Sequence, residues 1–346
     1  MNQPEVAQSL SLDGSIGEGG GQVLRTALSL SLCLQRPFHI DNIRIGRDRP
    51  GLQPQHLAAV RAAAAISDAE VEGAGPGSTS LSFAPGPVRA GVYRFDIGTA
   101  GSTGLLLQTL LPALMLGEDE STLTLDGGTH NPRAPTFEYL NQAFLPMINR
   151  MGPQVQAELI RPGFHPEGGG RIRVHIRPAV HLWPLQIPRR GKVLTLDAQA
   201  LVAKLPLEIA ERELAVIQAG LAVHAGGLQA HRTEDCISTG NAVWVSVYSE
   251  HITEVFSALG EKGVPAEEVA QGLVDAVRAY LDEDVPVGPW LADQLLLPMA
   301  LAGQGGFRTI QPGSHTRTQI EVIAAFTGRR FQVRTADHGH VFITLE

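Results

Sequence analysis

The chain has 346 residues, of which 43% are hydrophobic and 18% are charged, and its formal net charge is −8. This length allows two domains, and the acidic balance argues against a protein that coats long nucleic acid such as double-stranded DNA, which requires a basic surface. The two cysteines, Cys33 and Cys236, form no disulfide framework and favour a reducing compartment. Neither a signal peptide nor a membrane span is indicated. We therefore expect a cytoplasmic protein without a membrane partner.

A fixed order of elements recurs along the chain: strand, helix, strand, helix, then two strands. Apolar residues at helical spacing and alternating patterns between Gly and Pro predict these elements. The first unit has its helices over 22–34 and 56–68, and the second over 103–116 and 136–152. The third unit is predicted to begin with a helix at 287–303, followed by a helix at 314–328 and strands up to the C-terminus. Such alternation is typical of an α/β fold.

The spacing of the units predicts an inserted domain. First helices of units one and two begin about 80 residues apart, and those of units two and three about 188 apart. The excess of about 108 residues places a smaller inserted α/β domain over 185–282, with a strand, a helix and a strand recognisable within it. Residues 1–184 and 283–346 then form the large domain of three repeated units.

A glycine-rich stretch, "SIGEGGGQ", separates the first strand from the first helix. It is neither the dinucleotide fingerprint, because Gln22 stands where Gly or Ala is needed, nor a Walker A loop. Glu18 offers an oxygen ligand for Mg²⁺ bound largely by phosphate, and Arg25 could bind a phosphate with two hydrogen bonds. A tight turn with an exposed glutamate is the alternative.

Each unit carries polar residues in the loop before its second helix or at the start of that helix. Helix N-termini offer free N–H groups and a positive dipole end, which attract anions. If the units pack around a pseudo-symmetric axis, these residues meet at one cleft. They are Arg44, Arg47, Arg49, Gln55 and His56 in unit one, His130, Asn131, Arg133 and Pro135 in unit two, and Ser314, His315 and Arg317 in unit three.

Among these residues, His315 is the candidate nucleophile. A neutral imidazole at the start of a helix could attack a phosphorus atom and form a phosphoramidate. Trp290 could stack on a purine, with Pro135 on its other face, while Asp293 and Gln294 are either helix caps or contacts to a ribose or base. Gln108 is the isolated polar residue of an apolar helix and needs a partner.

At these residues the sequence resembles the RNA 3′-terminal phosphate cyclase family. The resemblance rests on several motifs together: "LDGSIGEGGGQVLRTALSLS", "RPGLQPQHLAAV", "IGTAGSTGLLLQTLLPAL", "GGTHNPRAP", "RPGFHPEGGG", "LADQLLLPMALAG" and "SHTRTQIEV". It implies three α/β units, each of two helices and a four-stranded sheet, with a smaller domain inserted before the last helix pair. It also implies that an RNA 3′-phosphate is converted to a 2′,3′-cyclic phosphate with ATP.

The resemblance further implies residue roles. His315 would attack the α-phosphate of ATP and form a covalent histidine–AMP, from which AMP passes to the RNA 3′-phosphate. Glu18 would bind a divalent cation, either Mg²⁺ or Mn²⁺. The residues expected to bind phosphates are Arg25, Arg44, Arg47 and Gln55. Those expected to bind the nucleoside are Gln108, Pro135, Trp290, Leu291, Ala292, Asp293 and Gln294.

Three other functions stay open from the sequence, and one of them is a plain ATP-binding module in which the inserted domain would be the partner surface. A non-catalytic branch of the superfamily binds RNA during ribosome assembly and lacks the histidine, so His315 argues against it. An enolpyruvyl-transferase-like enzyme would share a repeated α/β architecture without needing His315. Trp290 stands where tyrosine is common in the cyclases, which preserves stacking but bears on base preference. The sequence leaves the oligomeric state undetermined.

Overall fold

The computed structural model describes residues 9–345, apart from the side chain of His338. Within that range the strands form four sheets of four strands each. Three of the sheets share one strand order: the first, second, fourth and third strand of each unit, with the first pair parallel and the other pairs antiparallel. The predicted α/β class with three repeated units is therefore confirmed.

The first unit follows the predicted order closely. Its helix α1 is largely buried, and α2 begins with a capping box in which the backbone N–H of Gln53 donates to Nδ1 of His56 at 3.1 Å. The elements are β1 (Leu10–Asp13), α1 (Gly21–Leu34), β2 (Phe38–Asp41), α2 (Pro54–Ala65), β3 (Glu70–Glu72) and β4 (Leu81–Ala84).

The second unit differs from the prediction in its second helix, which is interrupted. A π-helical segment, Leu140–Phe144, separates α4 from α5, and the N–H of Leu145 donates to the carbonyl of Leu140. Pro146 follows and lacks the N–H that an α-helix would use there, which explains the local change of hydrogen bonding. The elements are β5 (Val92–Asp96), α3 (Thr103–Leu114), β6 (Ser121–Gly127), α4 (Phe137–Tyr139), α5 (Leu145–Arg150), β7 (Gln154–Arg161) and β8 (Gly170–Arg177).

The third unit begins with a strand that lies within the range predicted for the insertion, 185–282. This strand, β9 (Leu185–Ile187), pairs in parallel with β14 (Gly305–Thr309), as β1 pairs with β2 and β5 with β6. The unit therefore starts before the insertion, and its first helix is not its first element. Its other elements are α8 (Pro289–Ala302), α9 (Ser314–Thr327), β15 (Gln332–Thr335) and β16 (Val341–Leu345).

The elements between β9 and α8 have a sheet and a hydrophobic core of their own. The predicted strand, helix and strand correspond to the first, second and fourth of these elements. Their order is β10 (Val193–Ala203), α6 (Leu207–Leu221), β11 (Leu228–Thr233), β12 (Gly240–Ser249), β13 (Thr253–Leu259) and α7 (Ala266–Glu283). Because Leu185–Ile187 pair with the third unit, we propose that the inserted domain starts after Ile187, a few residues later than predicted.

Four helices of the large domain pack together and bring their polar residues close. On α1, the Ser29 hydroxyl donates to the carbonyl of Thr109 on α3 at 2.8 Å, and Thr26 donates to Oε1 of Gln319 on α9 at 2.6 Å. The Gln108 amide on α3 donates to Oε1 of Gln294 on α8. These contacts gather the polar starts of α1, α8 and α9 around one site. No helix in the described residues is long and apolar enough to cross a membrane.

Candidate active site

A cleft of about 1030 Å³ lies between the large domain and the elements of the insertion. Unit two contributes the loop that contains Pro135, the third unit contributes the starts of α8 and α9, and β13 and the loop after it form another wall. The predicted residues that line this cleft are Arg25, Gln108, His130, Asn131, Arg133, Pro135, Trp290, Asp293, Gln294, Ser314 and His315. The structure thus brings together residues from all three units that are up to 290 positions apart in the sequence.

His315 occupies the first turn of α9, with each ring nitrogen close to an oxygen atom. Its Nε2 lies 3.0 Å from Oε2 of Glu18, and its Nδ1 lies 2.9 Å from Oε1 of Gln22. The hydrogen bond with Glu18 raises the pKa of His315 and lowers that of Glu18. The imidazole is thereby held in one orientation while its side chain stays 60% exposed to the cleft.

Gln22 determines which nitrogen of His315 carries the proton in the neutral ring. The Gln22 amide nitrogen faces two acceptors, Oε1 of Gln319 at 3.2 Å and Oδ2 of Asp293 at 3.4 Å. Its Oε1 must therefore face His315 and accept from Nδ1–H. Because the Glu18 carboxylate also accepts, Nε2 carries a proton while it is bonded to Glu18, and loss of that proton leaves the free electron pair on Nε2. From the sequence, Gln22 stood out only as a mismatch to the dinucleotide fingerprint. The available signal was a polar residue in the first turn of a helix, next to the glycine-rich turn.

The glycine-rich turn places the Glu18 carboxylate. Gly17 and Gly19, on either side of it, have φ of 62° and 57°, a conformation that favours glycine. A Cβ atom on Gly20 would lie 2.5 Å from Oε1 of Glu18. Arg47 holds the glutamate from outside, with Nη2 donating to the Glu18 carbonyl at 2.8 Å. The Glu18 side chain is only 16% exposed, so the alternative of an ordinary turn with an exposed glutamate is wrong.

The residues around Glu18 fit a cation only if other ligands come from outside the protein. No group of three or more His, Cys, Asp or Glu side chains that could bind a metal occurs among residues 9–345. Mg²⁺ is commonly held by one or two carboxylates together with substrate phosphates. Glu18 therefore has the chemistry of a ligand for a phosphate-bound cation, and the choice between Mg²⁺ and Mn²⁺ stays open.

Arg25 and His56 lie near the start of α1. Burial lowers the pKa of both side chains, but only that of His56 falls far enough to leave the side chain neutral at neutral pH. Burial lowers the pKa of Arg25 to about 10, although Glu18 and Asp293 favour its charged form. Burial, with Arg25 and Arg44 nearby, lowers the pKa of His56 to about 3. His56 is therefore a neutral buried residue that completes the capping box of α2, and Arg25 supplies positive charge to the cleft.

Some predicted residues lie outside the lining of the cleft. Arg44 and Arg47 are in the loop before α2, and Arg44 donates to the carbonyls of Arg49 and Gly51 at 2.6 and 3.1 Å. Gln55 is exposed at the start of α2. The loop of unit one therefore reaches the Glu18 side of the site and not the main cleft. Leu291 and Ala292 are buried and do not line the cleft.

The opposite side of the cleft combines an aromatic surface with polar groups. Trp290 is 53% exposed at the start of α8 and, like Pro135, borders the cleft. Deeper inside, the Gln108 and Gln294 amides bond to each other. Burial raises the pKa of Asp293 to about 7. This arrangement offers one flat face and several hydrogen-bonding groups to a planar, polar ligand.

Three α/β units that gather helix N-termini, a histidine, a glutamate and arginines around one cleft define a repeated α/β protein with a site suited to phosphates. The family model of RNA 3′-terminal phosphate cyclase matches residues 16–333. Relatives with that name occur in Ectopseudomonas mendocina, at 48% identity over 92% of each chain, and in Ralstonia nicotianae, at 46% identity over 94% of this chain and 93% of the relative. Another relative with that name, in Koribacter versatilis, is 46% identical over 95% of this chain and 93% of the relative. The chain belongs to the RNA 3′-terminal phosphate cyclase family.

Proposed function

We propose that this protein converts an RNA 3′-terminal phosphate into a 2′,3′-cyclic phosphate with consumption of ATP. The observation that carries the proposal is the geometry of His315, which directs Nε2 toward Glu18 while Gln22 binds Nδ1. The names of the relatives support the same reaction. We also propose a cytoplasmic location.

The histidine performs the first step in this proposal. The Nε2 electron pair attacks the α-phosphorus of ATP, a nitrogen–phosphorus bond forms, and the bond to the departing pyrophosphate breaks. Nδ1–H stays bonded to Gln22 and disperses the positive charge that develops on the ring. A neutral ring is needed, so the Nε2 proton must leave before the attack. A cation held by Glu18 would weaken the hydrogen bond that raises the pKa of His315 and would thereby favour loss of that proton.

The RNA end reacts in the next two steps. An oxygen of the 3′-phosphate attacks the AMP phosphorus, the nitrogen–phosphorus bond breaks, and His315 is restored. The neighbouring 2′-hydroxyl then attacks the activated 3′-phosphorus, loses its proton, and releases AMP. Adenylation is required because oxide is a poor leaving group, whereas the last step benefits from a nucleophile that is already adjacent.

The other residues bind and orient the substrates. Glu18 would hold a divalent cation, which neutralises charge on the phosphates. Arg25 would bind the α-phosphate, and its place in the lining of the cleft near Asp293 and Glu18 supports this role. Arg44, Arg47 and Gln55, outside the main cleft, would bind the RNA 3′-phosphate on the Glu18 side. This division keeps the two substrates on opposite sides of His315.

The adenosine would occupy the aromatic side of the cleft. Trp290 and Pro135 would enclose the adenine, and the side chains of Gln108, Asp293 and Gln294 would bind its polar atoms or the ribose. Leu291 and Ala292 would contribute backbone groups from the first turn of α8. The exposed indole and the nearby pair of amides support this assignment.

The test is conversion of an RNA oligonucleotide that ends in a 3′-phosphate. With ATP and Mg²⁺ or Mn²⁺, the wild type should form an end that resists phosphatase, and His315→Ala should not. His224→Ala, which changes an exposed histidine of the insertion, is the matched control and should behave like the wild type. RNA binding without conversion would favour the assembly-factor alternative, and conversion without ATP would refute the proposed reaction.

A further inference from the structure

A buried carboxyl group of the insertion contacts the start of α8. Glu254, on β13, is 2% exposed, and its Oε1 accepts a hydrogen bond from the backbone N–H of Gly288 at 2.6 Å. Gly288 is the N-cap residue of α8, and no side chain of α8 caps its first turn. One of the free donors at that helix end is therefore satisfied by a residue from another part of the chain.

The contact is close enough to determine where the helix begins. A Cβ atom on Gly288 would lie 2.9 Å from Oε1 of Glu254 and 3.3 Å from its Cδ, so any larger residue would displace the carboxyl group. Glycine at this position therefore allows the carboxyl group to rest directly on the backbone of the helix start.

The same strand contacts the start of α8 in a second way, through Trp290. Phe256, two residues after Glu254 on β13, lies with its ring centroid 6.0 Å from that of Trp290, at an interplanar angle of 64°. Residues two apart share one face of a strand. The intervening Val255 borders the cleft from the opposite face of β13. Glu254 and Phe256 thus support α8 from behind the cleft and not from within it.

We propose that Glu254 is a positioning residue for adenine-nucleotide binding: by fixing the first turn of α8, it sets the direction in which Trp290 and Asp293 face the cleft. This inference rests on the proposed function. It gives the inserted domain a defined part in nucleotide recognition, although Glu254 itself touches no ligand. It also makes the position of the inserted domain and the affinity for ATP dependent on each other.

The protonation state of the Glu254 carboxyl group agrees with its role as a positioning residue. Burial raises the pKa of Glu254 to about 8, so the group is largely neutral at neutral pH. The titratable groups that interact with it are Tyr139 on α4 and Tyr280 on α7. A neutral carboxyl group that accepts one hydrogen bond has a close isostere in glutamine, which retains the acceptor oxygen.

The experiment measures the dissociation constant of ATP by calorimetry, and KM and kcat in the cyclase assay, for the full-length protein. Glu254→Ala should weaken ATP binding about tenfold, with KM for ATP raised and kcat little changed, because the backbone N–H of Gly288 loses its buried acceptor and water replaces it only in part. Glu254→Gln should restore wild-type affinity. Gly288→Ala should reproduce the effect of Glu254→Ala through displacement of the carboxyl group.

The control is Val274→Ala, which opens a cavity in the core of the insertion without a contact to α8. It should lower the melting temperature and leave the affinity for ATP unchanged. Equal affinity in the wild type and Glu254→Ala would overturn the inference while the proposed function stands. If the wild type itself bound no ATP, the proposed function would fall and the inference with it. Should Glu254→Ala not fold, Gly288→Ala decides the question.

Discussion

Replacement of Gln22 by alanine tests whether the orientation of His315 is built into the fold. The substitution removes the acceptor 2.9 Å from Nδ1 of His315 and the donor that faces Gln319 and Asp293. The ring would then be free to rotate, or to carry its proton on Nε2, where the nucleophilic electron pair is needed. We expect the loss to affect formation of the histidine–AMP bond more than the binding of ATP.

The size of the effect follows from the hydrogen bond that is lost. A bond to a charged group contributes about 1.5–3 kcal/mol, and positive charge develops on the ring as the phosphorus is attacked. At about 1.4 kcal/mol for each factor of ten, the rate should fall about 10- to 150-fold. Because the His315 side chain is 60% exposed, water can partly replace Gln22, and the lower part of that range is expected.

The assay is the single-turnover rate of protein labelling from α-³²P-ATP at saturating nucleotide. Gln35→Ala, which removes an exposed glutamine just after the same helix, is the control and should label at the wild-type rate. Labelling of folded Gln22→Ala at the wild-type rate would refute the role assigned to Gln22. A large increase in the dissociation constant for ATP with unchanged chemistry would refute it as well.

Three further predictions concern other parts of the site. Trp290→Ala should weaken ATP binding by about 1–3 kcal/mol, measured by calorimetry, because base stacking on an aromatic ring contributes that amount; unchanged affinity would exclude the indole from the adenine site. Glu18→Gln should shift the metal dependence of labelling to higher Mg²⁺ concentrations, and an unchanged titration would remove Glu18 as the ligand. His56→Gln should make stability less sensitive to acid. The pKa of His56 in the folded protein is about 3, below the ordinary 6.5, so its contribution to stability is fully present above pH 6.5. As the pH falls toward 3, the free energy of unfolding decreases by at most about 1.4 kcal/mol per pH unit. The same pH dependence of the free energy of unfolding in variant and wild type, measured by urea denaturation, would contradict this.

Much of the architecture could be predicted because it depends on local patterns. Apolar spacing identifies α1 and α9, and the repeated order of elements reveals three units and an insertion. The short strand Leu185–Ile187 was missed because three residues between prolines carry little periodicity, and its partner β14 lies more than 100 residues further along the chain. The π-helical segment was also missed, since apolar spacing does not distinguish it from an α-helix.

The site was predictable to the extent that its chemistry lies at helix starts. Glu18 and His315 could be selected as chemical groups, and the structure places them 3.0 Å apart. The parts played by Gln22 and Glu254 depend on tertiary contacts, with α9 in one case and α8 in the other. Nothing in the residues near either position in the sequence indicates those partners.

Adenylation of His315 is tested most directly by labelling the protein with α-³²P-ATP and a divalent cation, followed by denaturation and mapping of the labelled residue. Acid-labile, alkali-stable label is expected on His315 in the wild type and none in His315→Ala. Absence of label from a folded wild type that binds ATP, or label at another residue, would contradict a histidine–AMP intermediate at His315.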